Sequence, residues 1–170
     1  MSLDKSNADP GKLQDRQATG NATWPYLAAT WFGLGYIRLG PGTIATATAL
    51  PLYWLLRLAP MPLQVAVVAL VTAFSTLCAY LVASDCGQDD PQIVVIDEVT
   101  GALVTLLIAS SSSIAVQLTA LALFRVFDIF KPWPVNVAIS GHAGFDIVYD
   151  DFVAGVLSGL VVILFTHFVI

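Results

Sequence analysis

Twenty-one consecutive residues, Leu63–Ala83 ("LQVAVVALVTAFSTLCAYLVA"), carry no charge and no proline. A helix needs about 20 predominantly apolar residues to cross a bilayer, so this run predicts a membrane span. Phe152–Ile170 is a second uncharged run and reaches the last residue. A shorter apolar run, Thr43–Leu58, is interrupted by Pro51; membrane helices accommodate such a proline when neighbouring groups satisfy the freed carbonyl. Upstream, Trp24–Leu39 is rich in aromatic residues and carries Arg38 near its end, the pattern of a helix lying in the membrane interface.

Between them, Val99–Phe124 admits two readings. As one helix it would cross once, but "SSSS" at 110–113 divides it into two apolar halves. Serine competes with the helical backbone for hydrogen bonds and favours turns, which predicts a hairpin. Each half is then about 20 Å long at 1.5 Å per residue, enough to span a thinned region or to re-enter without crossing.

Charge separates the two readings. The hairpin gives five helices, at about 43–58, 63–84, 98–109, 114–128 and 151–170, and puts the amino terminus, loop 85–97 and loop 129–150 on one side. That side holds Lys5, Lys12, Arg16, Arg38, Arg125, Lys131 and every acidic residue, leaving only Arg57 opposite. The excess of cations makes the shared side cytoplasmic; a single helix would split the charged loops between the faces. Residues 1–23 are polar, lack the apolar core of a cleavable signal, and predict a disordered tail ahead of one domain at 24–170. The expected fold is all-α: a polytopic membrane helical bundle of about five helices including a short hairpin, with a preceding interfacial helix.

Composition agrees. The chain is 57% hydrophobic and 11% charged, where soluble domains are about one quarter charged. Its 170 residues suffice for one small bundle and not for two domains. The net charge of −5 and the lack of a dense basic cluster exclude nucleic acid as a partner. Cys78 and Cys86 have no metal-ligand spacing and read as packing residues.

Four charged or Gly-Pro segments meet on the cytoplasmic side. In "GLGYIRLGPGT", 33–43, a glycine-rich turn with Gly42 leads to a helix that Thr43 is placed to cap, and exposed backbone N–H groups there favour an anion. "DDPQIVVIDE", 89–98, sets Asp97 and Glu98 at a helix start, and "HAGFDIVYDD", 142–151, sets Asp150 and Asp151 at another. In "FRVFDIFKPWP", 124–134, Asp128 stands in a last helical turn, where a carboxylate opposes the helix dipole, between the cations Arg125 and Lys131. The two histidines, His142 and His167, read as bystanders.

Five carboxylates at one membrane border repel one another unless a cation sits among them. Oxygen ligands suit a hard divalent ion, with Mg²⁺ the default where phosphate is the other ligand. Asp97, Glu98, Asp128, Asp150 and Asp151 are therefore the candidate metal and catalytic residues. Arg125, Lys131 and Arg38 are candidate phosphate contacts, alongside Gly42 and Thr43 of the turn. Together they suggest phosphoryl chemistry on a lipid headgroup. A carboxylate would activate water or attack directly; the residues do not choose between the two routes.

"GPGT" before a small-residue helix, "IVVIDEVTG", "FRVFDIFKPWP" and "DIVYDDFVAG", in that order from Gly33 to Gly159, resemble the phosphatidylglycerophosphatase A family. The resemblance implies a Mg²⁺-dependent lipid phosphatase of the bacterial inner membrane that converts phosphatidylglycerophosphate to phosphatidylglycerol, with the acidic residues as its site and Arg125 and Lys131 beside it. Ala45 and Thr46 stand where the family carries Gly-Ser, and Phe145 and Asp146 replace part of a glycine-rich stretch. Two other readings remain: a phosphatase for another lipid phosphate monoester, and an ion-coupled membrane transporter, whose acidic residues would lie near the bilayer midplane.

Overall fold

The computed structural model describes residues 23–135 and 143–169. The expected tail, apart from Thr23, and His142 lie outside them. Among the described residues there are six α-helices and no strand: α1 (Thr23–Ala29), α2 (Pro41–Leu56), α3 (Met61–Cys86), α4 (Ile96–Ala109), α5 (Ile114–Phe130) and α6 (Ala143–Val169).

The expected continuous helix over Trp24–Leu39 is not formed. α1 closes with Trp31 N–H donating to the Ala28 carbonyl and Phe32 N–H to the Leu27 carbonyl, at 2.9 and 2.8 Å, the paired bonds of a Schellman stop. Trp31, Phe32 and Gly33 all take positive φ (48°, 59° and 93°), and one 3-10 turn, Leu34–Tyr36, follows. A tertiary contact holds this break: Gly35 packs so tightly on the Ile93 carbonyl that a Cβ would lie 2.0 Å from the oxygen. Val95 N–H also donates to the Ala29 carbonyl at 2.9 Å.

α2 starts two residues earlier than expected. Gly40 turns the chain in the left-handed region (φ 58°), and Pro41 occupies the first turn, where its missing N–H is no loss. The cap expected of Thr43 is not made; Thr43 is exposed inside the first turn. α3 stops at Gly87 (φ 63°). Val99–Phe124 is two helices, because Ser110 turns left-handed (φ 44°) and α5 begins after Ser113.

α6 begins eight residues before the expected 151. Asp146 and Asp150 give the segment a loop-like composition, yet Ile147 and Val148 fall on one helical face and bury against Ala79 and Val82 of α3. Gly144 permits the approach; a Cβ there would lie 2.2 Å from the Tyr80 backbone.

α4 is the centre of the molecule. Ile96, Val99, Ala102, Leu103 and Leu106 are all buried, and α2, α3, α5 and α6 surround it. Its crossing with α6 is backbone on backbone: a Cβ on Gly155 would lie 2.5 Å from the Gly101 carbonyl, the small-residue contact that lets membrane helices approach. Ser75 and Thr100 share a buried 2.7 Å hydrogen bond between α3 and α4. At the end away from the acidic residues, Arg57 donates to the Ser111 carbonyl and Ser112 Oγ (3.3 and 2.6 Å), and Gln117 bridges Trp54 Nε1 to the Ser111 carbonyl. The serine turn is thus tied to the end of α2.

α3 and α6 are long and apolar enough to cross a membrane. Their exposed side chains include Leu63, Leu70, Phe74, Leu77, Leu164 and Phe165.

Candidate active site

The first turn of α4 aims two carboxylates inward. Asp97 is 8% exposed and Asp151, from α6, is 3% exposed. One carboxylate oxygen from each of Asp97, Glu98 and Asp151 lies within 4.8 Å of the other two. Asp97 Oδ1, Glu98 Oε2 and Asp151 Oδ2 are buried with no hydrogen-bond partner among the described residues. Such convergence is repulsive in a low-dielectric setting and costs several kcal/mol per unpaired ion. Three carboxylates at that spacing, each with an unpaired buried oxygen, fit a hard divalent cation, whose ligands are carboxylate oxygens.

Asp151 lies about 12 Å along α6 from its start at 1.5 Å per residue, so the pair Asp150–Asp151 does not open a helix as expected. The site is recessed beneath the first two turns of α6. Adjacent residues on a helix point about 100° apart, and on α6 the two aspartates reach different partners. Asp151 turns to the carboxylate group, while Asp150 turns away and accepts a 2.8 Å hydrogen bond from Lys131 Nζ.

Arg125 and Asp128 lie one turn apart on α5. Arg125 Nη1 donates to Asp128 Oδ2 at 2.5 Å and lies 3.8 Å from Glu98 Oε1, while its Nε is buried without a partner. The Asp128 carboxylate also adds negative charge beside Asp151. It therefore sits between the cation and the three-carboxylate group. Four acids share one adjacent guanidinium, so the local charge is unbalanced.

Gly42 closes the site on the α2 side. A Cβ there would lie 2.1 Å from Glu98 Oε1 and 3.1 Å from Arg125 Nη2; only a residue without a side chain leaves both groups in place. Lys131 ends α5 in the left-handed region (φ 42°), which swings its amine toward α6. Burial alone would lower its pKa, but the hydrogen bond and charge of Asp150, with Asp151 and Asp90 behind, raise it above the ordinary lysine value. It stays protonated at neutral pH.

Of the residues expected from sequence, the fold brings together Asp97, Glu98, Asp128, Asp151, Arg125 and Gly42. It leaves Asp150 and Lys131 as a pair beside the group. Arg38 is exposed and makes no ion pair among the described residues, and Thr43 is exposed. Thr46, which the sequence marked only as standing where the resembled family carries serine, is buried below Gly42 with its hydroxyl unpartnered among the described residues. Its sequence signals are a hydroxyl in the place of that serine and the four-residue spacing from Gly42 on a helix.

A family model described as phosphatidylglycerophosphatase A matches residues 27–166. The chain is 31% identical to phosphatidylglycerophosphatase A of Escherichia coli over 143 residues, covering 84% of this chain and 83% of that protein. It is 32% identical to phosphatidylglycerophosphatase A of Haemophilus influenzae over 145 residues, 81% of this chain and 85% of that one. A Bacteroides thetaiotaomicron protein, provisionally named a phosphatidylinositol-3-phosphatase, is 31% identical over 144 residues, 81% and 91% of the two lengths. No solved structure matches the chain. With the matched region spanning every helix that builds the acidic site, this phosphatase belongs to the phosphatidylglycerophosphatase A family.

Proposed function

We propose that the chain hydrolyses phosphatidylglycerophosphate to phosphatidylglycerol and phosphate, as a multi-pass protein of a bacterial inner membrane with its site toward the cytoplasm. The observation that carries this reading is the recessed group of Asp97, Glu98 and Asp151, with three unpaired buried oxygens beside Arg125. Mg²⁺ fits the oxygen-only donor set where phosphate supplies further ligands. When bound, the ion supplies Lewis acidity toward a phosphate oxygen.

The chain's own residues account for the rest. Asp97, Glu98 and Asp151 hold the ion, and Asp128 orients Arg125. Arg125 offers guanidinium donors to the phosphate, which reaches it over the bare Cα of Gly42. The Asp128 carboxylate, facing both Arg125 and Asp151, is placed to take a proton from water or to orient it. Lys131, held by Asp150, adds positive charge beside the site.

Lipid rather than soluble substrate is favoured by a cavity of about 600 Å³ lined by apolar residues, among them Trp24, Trp31, Leu56, Val71, Ile96 and Leu103. Its wall includes Ile96, at the start of the helix that carries Asp97 and Glu98. In this reading α2–α6 form the membrane bundle of the domain at 24–170, α4 and α5 make its short hairpin, and α1 lies at the interface.

Purified protein in mixed micelles is expected to release phosphate from phosphatidylglycerophosphate well above its rate on phosphatidylinositol phosphate or water-soluble glycerol phosphate. The second lipid is included because of the Bacteroides relative's name. Preference for phosphatidylinositol phosphate would move the substrate to that headgroup, and preference for the soluble ester would remove the lipid reading. For topology, single cysteines at Gln88→Cys and Ser112→Cys, in a background lacking Cys78 and Cys86, should label from the cytoplasmic and opposite faces respectively. Labelling of both from one face would overturn the orientation.

A further inference from the structure

Thr46 carries an anomaly that the acidic group does not explain. It is 3% exposed, and its Oγ1 has no hydrogen-bond partner among the described residues. Helical hydroxyls elsewhere in the chain solve this problem locally: Thr72, Thr76, Thr100, Thr105 and Ser158 each donate to the carbonyl four residues back. Thr46 makes no such bond, although the same geometry is available to it on α2. A buried hydroxyl left unpaired destabilises the fold.

Its direction follows from helix geometry. Residues four apart lie one above the other on a helical face. Gly42, four residues back, has its side-chain direction filled by Glu98 Oε1 and Arg125 Nη2. Thr46 therefore faces the same wall of the site, one turn deeper. Among the described residues, the other buried side-chain atoms without partners are Asp97 Oδ1, Glu98 Oε2, Arg125 Nε and Asp151 Oδ2. All four belong to the acidic site, and Thr46, the fifth, stands one helical turn below the Gly42 that touches it. It differs from the carboxylates in chemistry, because a neutral hydroxyl donates where they only accept, and an anion needs donors.

We propose that Thr46 is a substrate-binding residue whose hydroxyl donates a hydrogen bond to a phosphoryl oxygen, at the depth of the site below Gly42. This rests on the phosphatase reading above. Together with Arg125 it gives the phosphate two donors. No covalent step is assigned to it.

Thr46→Val keeps the shape and removes the donor. Catalytic efficiency on the lipid phosphate should fall about tenfold or more, the scale of one hydrogen bond to a charged group. Inhibition by inorganic phosphate should weaken by a similar factor. The melting temperature should hold or rise, since an unpaired buried hydroxyl has been replaced by a methyl. Thr46→Ser should keep activity within a few-fold of the parent.

Thr46→Val with parental efficiency would overturn the proposal, and so would a rate loss that left phosphate inhibition unchanged. A lower melting temperature in Thr46→Val would mark a structural hydroxyl and have the same consequence. The thermal shift induced by inorganic phosphate with Mg²⁺ gives the same comparison without turnover. A parent inactive on every lipid phosphate would defeat the functional reading, whereas an active parent with an indifferent Thr46→Val would defeat only this one.

Discussion

Asp151→Asn is expected to lower turnover about 100-fold or more, roughly 2.7 kcal/mol of transition-state stabilisation, without destabilising the protein measured free of metal. Asp151 is the most deeply recessed of the three grouped carboxylates and is 3% exposed. Its Oδ2 has no partner among the described residues, and Asp128 and Glu98 add negative charge around it. An amide of the same size removes one of these mutually repelling charges, so the metal-free melting temperature should hold or rise while function is lost. Asp128→Asn should show the same fall in turnover, because it removes the negative charge that pairs with Arg125 and that lies beside Asp151.

Asp150→Asn supplies the contrast. It loosens an ion pair with Lys131, whose side chain is 40% exposed, and pairs of that kind contribute about 0–1 kcal/mol. Its effect on turnover should be several-fold at most. Equal losses in Asp150→Asn and Asp151→Asn would show that the two adjacent aspartates act together and that the three-carboxylate group is drawn wrongly. Asp151→Asn with turnover near that of the parent would remove it from the site.

Chelation of divalent metal should abolish activity, and Mg²⁺ should restore it. Asp97 Oδ1, Glu98 Oε2 and Asp151 Oδ2 would otherwise be buried together unpaired, and the nearest guanidinium is already engaged with Asp128. An ion that binds only the folded cluster also stabilises it, by about 2.7 kcal/mol at a concentration 100 times its dissociation constant. Added Mg²⁺ should therefore raise the melting temperature of the parent, and this shift should vanish in Asp97→Asn. Full turnover in excess chelator after thorough washing would falsify the metal assignment, whatever the thermal data show.

Much of the helical layout was legible along the chain. Leu63–Ala83 lies inside α3, and the serines at 110–113 separate α4 from α5. Both are local matters: an uncharged run has no competing partner for its backbone, and serines offer the backbone another one. The acidic residues were equally legible, since carboxylates in a chain with so few charges stand out by composition. The start of α6 was not, because Asp146 and Asp150 mask the face that carries Ile147 and Val148. That face has meaning only with α3 beside it. Nor was the break after α1, which depends on Gly35 meeting the Ile93 carbonyl.

The sequence by itself determined an all-helical, apolar chain with a serine break, an acidic set and a family signature, because these follow from residue type and short-range spacing. Tertiary structure alone decided which of those residues share a site. It separated Asp150 from Asp151, made the 14-residue α4 the buried axis, laid Gly42 against Glu98 and Arg125, and turned Thr46 inward without a partner. The physical reason is rotational. Spacing along a helix sets which residues share a face, but only the packing of neighbouring helices sets what that face meets.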